Sequence, residues 1–166
     1  MSRIIDKVDI LGGILHRIGN FNPSNFNSNF SDRLILQKTI YLMQAFGLQI
    51  GYGYNWYLRG PYSPALTRDA YKLIEKYDTL PTIRFVSSES EDIFSKFLDF
   101  IERHKTNGEW LEILASIHFL YRNSFNKNKE NIWTKVKSKK SNLKKGRFDT
   151  CWNELVQIGL IGDDNF

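Results

Sequence analysis

Tyr54-Asn-Trp-Tyr-Leu-Arg-Gly-Pro-Tyr-Ser-Pro-Ala-Leu66 is the stretch on which the fold turns. Tyr54, Trp56 and Leu58 alternate with Asn55, Tyr57 and Arg59, an aromatic-rich period of two that predicts a short half-buried strand. Gly60-Pro61 is expected to end it, because proline cannot donate to a ladder and glycine accepts the backbone angles of a sharp turn. Ser63 is placed to accept from the free N–H groups of a helix start, and Pro64 suits the first helical position. Leu66, Ala70, Leu73, Ile74 and Tyr77 continue at helical spacing. Upstream, Ser31 or Asp32 caps a long helix to about Gly47, which carries Leu36-Gln-Lys38, Tyr41-Leu42 and Gln44. Downstream, Thr82-Ile-Arg-Phe-Val86 reads as a second strand, expected to pair with residues 54–59 as a wing. The plain reading of the whole stretch is turn chemistry and core anchoring. The functional reading makes Tyr57, Arg59 and Tyr62 exposed candidates for binding a protein partner.

Leu-Gln-Lys and Tyr-Leu on one helix, followed by Tyr-Leu-Arg-Gly-Pro-Tyr-Ser-Pro-x-Leu, resemble the YwgA-like family of small prokaryotic proteins. They are more distantly similar to the SocA-like (Panacea) antitoxin domain, whose helix carries a related Leu-Gln-Lys pattern before a Tyr-Gly-Pro turn. The resemblance extends to Trp110-Leu-Glu-Ile-Leu-Ala-Ser-Ile-His-Phe-Leu120 and to Phe148 and Trp152 through Ile161, so it spans residues 31–161. Arg59 departs from the antitoxin pattern, which usually has a tyrosine before the glycine. The resemblance implies a compact helical, winged-helix-like module with a place in toxin neutralisation or defence. It implies no catalytic residues.

Size and composition point the same way. A chain of 166 residues predicts one domain, residues 1–166, with 31–86 and 107–161 as subdomains sharing a core. Aromatic residues make up 14% and supply large side chains to bury. Cys151 is the single cysteine, so no internal disulfide forms, which fits a reducing cytoplasm. No apolar run approaches the roughly 20 residues that a membrane span needs. Ile4, Ile5, Val8 and Leu11, broken by Asp6, Lys7 and Asp9, read as an amphipathic helix over 3–18 rather than a signal peptide.

The remaining chain is predicted to be helical. Residues 20–30 form a polar loop that Phe21, Phe26 and Phe30 either pin to the core or offer to a partner. Ser88-Glu-Ser-Glu91 predicts a capping box for a helix to about Arg103. Residues 107–122 form the most apolar helix and are expected at the centre of the core. Helices over about 128–138 and 144–158 follow, with Gly159 as the closing cap. The expected class is therefore mainly α, a compact winged-helix-like domain with a small two-stranded β element.

Charge is concentrated in one place. Nine basic residues lie between Lys127 and Arg147, opposed in that window only by Glu130, which makes the segment +8. The chain as a whole is +5, so the remainder is slightly acidic at −3. A basic helix, a turn at Ser141-Asn142 and a second helix start have the layout of a helix-turn-helix. Lys135, Lys137, Lys139, Lys140, Lys144, Lys145 and Arg147 are the candidate nucleic-acid contacts. Six phosphate contacts would give a log–log salt slope of about −5. Lysine in place of arginine favours phosphate contact over base reading. An acidic protein partner and a plain solvated face are the two other readings of the cluster. Trp133, Phe148 and Trp152 interleave it at a helical spacing that assigns them to the core.

Catalysis finds little support. His16, His104 and His118 fall on separate predicted helices without ligand spacing to Cys151, so no metal or cofactor is expected. His118 lies in an apolar run and reads as a hydrogen-bonded core histidine. Lys145 and Arg147 near Cys151 are the one hint of an activated thiol. Gly-x-Ser-x-Gly is absent, and Gly51-Tyr-Gly53 lacks the setting of a phosphate loop. Asp163-Asp164 reads as a solvating tail. The expected function is a non-enzymatic accessory or antitoxin-like protein of a prokaryotic defence or toxin system. It would bind a toxin or defence-complex subunit and contact DNA. A stand-alone DNA-binding regulator acting as a homodimer is the alternative, and an enzyme of unrecognised type is the third.

Overall fold

The computed structural model describes residues 5–80 and 82–162; Ile4 and Asp163-Asp164 lie outside the described residues. The protein is mainly α-helical with one small two-stranded antiparallel sheet. Its elements are α1 (Lys7–Ile18), α2 (Phe30–Ala45), β1 (Asn55–Tyr57), β2 (Gly60–Tyr62), α3 (Pro64–Lys76), α4 (Ser88–Ile101), α5 (Gly108–Asn123), α6 (Lys129–Lys139) and α7 (Lys145–Ile158).

Helix α5 is the hub. It packs against α2, α6, α7 and β2, and it is buried continuously from Leu111 to His118. Helix α2 is the other central element, buried from Leu34 to Gln44. A helix buried nearly all round must also bury its polar side chains, and Gln37, Lys38, Thr39 and Gln44 all lie inside. Each buried polar group then needs a hydrogen-bond partner, which fixes what can pack alongside.

The ends of the helices follow local chemistry. Asp6 and Asp9 form a reciprocal capping box, so α1 starts at Lys7 and leaves Ile5 outside the helix and exposed. Asn29, not Ser31 or Asp32, caps α2 by accepting from the Asp32 N–H. Ser63 caps α3 with Pro64 in the first turn. Gly159 closes α7 in the left-handed conformation at φ 83°. Phe21 and Phe26 pin the 20–30 loop, ring against ring and against Tyr77 and Tyr71, whereas Phe30 stands half-exposed.

The sheet differs from the expectation. Gly60-Pro61 does not end the strand pair; it opens the second strand. Asn55 pairs with Tyr62, Trp56 with Pro61 and Tyr57 with Gly60, a tight hairpin turning at Leu58-Arg59. A two-stranded ribbon is all edge, so a residue without an N–H is tolerated in it. Residues 82–86 join no ladder. Glu91 explains why. It does not complete a capping box at α4, where Ser87 caps alone. Instead its carboxylate takes both Arg17 guanidinium nitrogens at 2.8 and 2.7 Å and the Phe85 N–H at 2.7 Å. Ile83 is pressed so closely on α1 that a β-carbon at Gly13 would sit 2.7 Å from it. The segment is thus laid over α1 and not paired with the hairpin it was expected to join.

Candidate functional site

Polar side chains of α2 hold the Gly-Pro hairpin in place. Gln37 donates from Nε2 to the Ser63 carbonyl at 2.9 Å and to Thr67 Oγ1 at 2.8 Å, and its Oε1 accepts from the Ser63 N–H at 2.9 Å. Lys38 Nζ donates to the Pro61 carbonyl at 2.6 Å. About two turns later, Gln44 does the same for the preceding loop, donating to the Tyr52 carbonyl and accepting from the Ile50 and Tyr52 N–H groups. Tyr54 donates to the Gln37 carbonyl at 3.0 Å. The Leu-Gln-Lys motif is therefore a hydrogen-bonding template for a loop that has almost no ladder of its own.

Lys38 is only 1% exposed. Burial pushes its amine down to about 7, against an upward pull from the Glu112 carboxylate and a further downward push from Lys140 and Arg59. Glu112, itself buried, is shared by Arg59 Nε at 2.7 Å and Lys140 Nζ. Ser116 Oγ lies beside this cluster, fully buried and without a hydrogen-bond partner among the described residues. Gly60 is required here: its φ is +93°, and a β-carbon would sit 2.6 Å from Ser116 Oγ and 3.5 Å from Lys38 Nζ.

Above this cluster lies a groove of about 470 Å³ between α2, the hairpin and α3. Phe30, Leu34, Tyr57, Leu58, Tyr62 and Tyr71 form its apolar walls, and Arg33, Lys38 and Arg59 are its charged lining. No carboxylate lines it among the described residues. Arg33 and Arg59 both lie over the Phe30 ring, at 5.8 and 5.4 Å. Leu58, at the hairpin tip, is 96% exposed.

Two of the three partner candidates are exposed, Tyr57 and Arg59. Tyr62 is not: it is half-buried, with its ring against Tyr57 at 5.1 Å and its hydroxyl on Thr67 Oγ1 at 2.7 Å. Arg59 is pinned by Glu112 rather than free. Sequence reading missed Leu58 and Lys38; it names Phe30 as one of three loop phenylalanines open to core or partner contact. The available signal for Lys38 was two adjacent long polar side chains in an otherwise apolar helix, which must be paired if the helix is buried.

The basic candidates prove to be mostly engaged. Lys135 donates to Ser124 Oγ at 2.8 Å, and Lys137 to the Ser141 and Leu143 carbonyls. Lys140 pairs with Glu112, Lys145 with Glu130 at 3.0 Å, and Arg147 with Glu109 at 2.6 Å. Lys139 and Lys144 are exposed and have no side-chain partner among the described residues. Counting charge along a sequence window leaves Glu130 as the sole opponent; the fold adds Glu109 and Glu112 from α5 and Asp149 from α7. Phe148 and Trp152 are buried and Trp133 is half-buried against Phe148, with Lys137 and Lys145 over the Trp133 ring.

The remaining chemistry-bearing residues are quiet. Cys151 is fully buried, and burial followed by the nearby Glu154 raises its thiol far above the reactive range, so Lys145 and Arg147 do not activate it. His118 is a hydrogen-bonded core histidine, with Nδ1 2.7 Å from the Tyr41 hydroxyl. Among the described residues no group of three or more His, Cys, Asp or Glu side chains could hold a metal ion. No helix among them is long and apolar enough to cross a membrane.

What this geometry defines is a mainly helical module with a cationic, aromatic groove at a clamped hairpin. No protein-family model matches the chain, and no curated protein or solved structure does.

Proposed function

We propose that the protein is a non-enzymatic accessory or antitoxin-like component of a prokaryotic toxin or defence system, acting in the cytoplasm by gripping a protein partner through the Gly-Pro groove. The observation that carries this reading is the groove's composition: exposed Tyr57, Leu58 and Phe30 beside Arg33 and Arg59, with no lining carboxylate among the described residues. Exposed apolar residues clustered beside arginines are the usual material of binding hot spots. The resemblance of the Leu-Gln-Lys and Gly-Pro-Tyr-Ser-Pro segments to YwgA-like and Panacea sequences supplies the toxin or defence setting. A second contact, with DNA, rests on Lys139 and Lys144 and on the uncapped start of α7 at Lys144. It is the weaker arm, since five of the seven candidate cations are already committed within the chain. A stand-alone dimeric regulator would depend on that arm alone.

The test is co-purification from the source cell with the native protein, Leu58→Asp, and a Lys139→Glu/Lys144→Glu double variant. A partner retained by native and double variant but lost by Leu58→Asp supports the groove. No stoichiometric partner, together with salt-sensitive DNA binding that the double variant loses, overturns it in favour of the regulator.

A further inference from the structure

At the C-terminal ends of α2 and α5 lies a second concavity, a cleft of about 560 Å³. Its walls come from α2 (Tyr41, Gln44), the loop and strand that follow (Tyr54, Asn55) and the end of α5 (His118, Arg122). A cavity of that size suits a small molecule.

Its hydrogen-bond ledger is uneven. Gln44 spends both ends of its amide on the 50–52 backbone, and Tyr54 spends its hydroxyl on Gln37. Tyr41 and His118 satisfy each other at 2.7 Å. Burial raises the Tyr41 phenol and, with a smaller push from Arg122, lowers His118 to about 4, so both are neutral near pH 7. In the tautomer where the Tyr41 hydroxyl donates to Nδ1, the His118 proton resides on Nε2. That N–H belongs to a side chain only 6% exposed that lines the cleft, and it has no partner among the described residues. Nor has the Arg122 guanidinium, nor the Asn55 amide. No carboxylate lines the cleft among the described residues. Three unspent donors therefore share one hollow with the faces of Tyr41, Tyr54 and Phe119, which already contact one another edge-on or tilted.

We propose that this cleft binds a small organic oxyanion carried on a flat apolar body. Arg122 supplies the charge and a forked donor, His118 Nε2 and Asn55 complete the oxygen's hydrogen bonds, and the aromatic walls take the body. Occupation breaks no existing contact, because the three donors are unspent among the described residues and the aromatic walls are held against one another. Carboxylate and phosphate monoesters share the required chemistry. This inference is independent of the partner groove.

The experiment is NMR titration of the full chain with benzoate, phenyl phosphate and neutral benzyl alcohol, reading the His118 imidazole and Arg122 side-chain resonances. The same titrations are run on Arg122→Gln and on Lys96→Gln as a surface-charge control; both positions are exposed. Saturable shifts with an anionic probe, weakened about tenfold or more in Arg122→Gln, as loss of a charged hydrogen bond requires, and unchanged in Lys96→Gln, support the site. Response to benzoate alone assigns it to carboxylates, and response to phenyl phosphate alone to phosphate esters. Equal binding of benzyl alcohol, equal weakening in both variants, or no shift at saturating probe overturns it.

Discussion

The Gly-Pro hairpin and the basic α6–α7 pair face the same problem, satisfying many polar groups, and they solve it in opposite places. At the hairpin, Gln37, Lys38 and Gln44 reach the backbone from inside a buried helix. At α6–α7, lysines reach carboxylates and carbonyls across the surface. Buried donors and acceptors cannot fall back on water when a partner is lost, whereas surface ions can. The two regions should therefore respond to mutation, pH and salt in different measure, and that difference can be broken or sharpened in four ways.

The largest effect is expected at Gly60. Gly60→Ala forces a side chain into a positive-φ residue and against Ser116 Oγ. It should lower unfolding free energy by about 2–4 kcal/mol in urea melts. A change below about 0.5 kcal/mol would mean that the clamp does not hold the hairpin rigidly.

Lys38 comes next. Its amine falls from 10.5 unfolded to about 7 folded. Between those values the unfolded chain binds more protons, so native stability should climb with pH from about 7 to 10.5. The climb should flatten in Lys38→Met, read from chemical denaturation across that range.

Glu91 is an intermediate case, a half-exposed ion pair that also holds backbone. Arg17, and then the Phe85 N–H, depress its carboxyl from 4.5 to about 2. A lowered acid contributes stability that is present above its unfolded value and lost as pH falls through the folded one. Exchange of the Phe85 amide should accelerate as pH drops from 4.5 towards 2, beyond the intrinsic trend, and should already be fast in Glu91→Gln.

Arg147 should matter least. Arg147→Gln removes an exposed pair with Glu109 and should change stability by less than about 0.5 kcal/mol, less still in high salt.

Much of the fold was legible because its signals are local. Ser63-Pro64 caps α3 as its chemistry predicts, and Gly159 closes α7. The run through Leu114 is apolar enough to announce a central helix. What could not be read was non-local. Nothing near Glu91 says that Arg17, on another helix, will take its carboxylate and draw residues 82–86 away from the hairpin. Nothing between Lys127 and Arg147 says that α5 will present Glu109 and Glu112 to them. The groove was half legible: Tyr57 and Arg59 were named, but Leu58 at the tip follows from the two-residue turn, and that turn followed from pairing Gly60-Pro61 rather than ending on it.

Glu112 has a further consequence, because it touches both regions at once. One carboxylate holds Arg59 of the hairpin and Lys140 at the end of α6. A partner that recruits Arg59 leaves Glu112 to Lys140 alone, tightening that pair; a phosphate that recruits Lys140 tightens the other. Two ligands that each took one of these cations would alter the free energy of the other's site by an equal amount. The hairpin and the end of α6 thus meet at a single anion, and such competition would need no change in backbone shape.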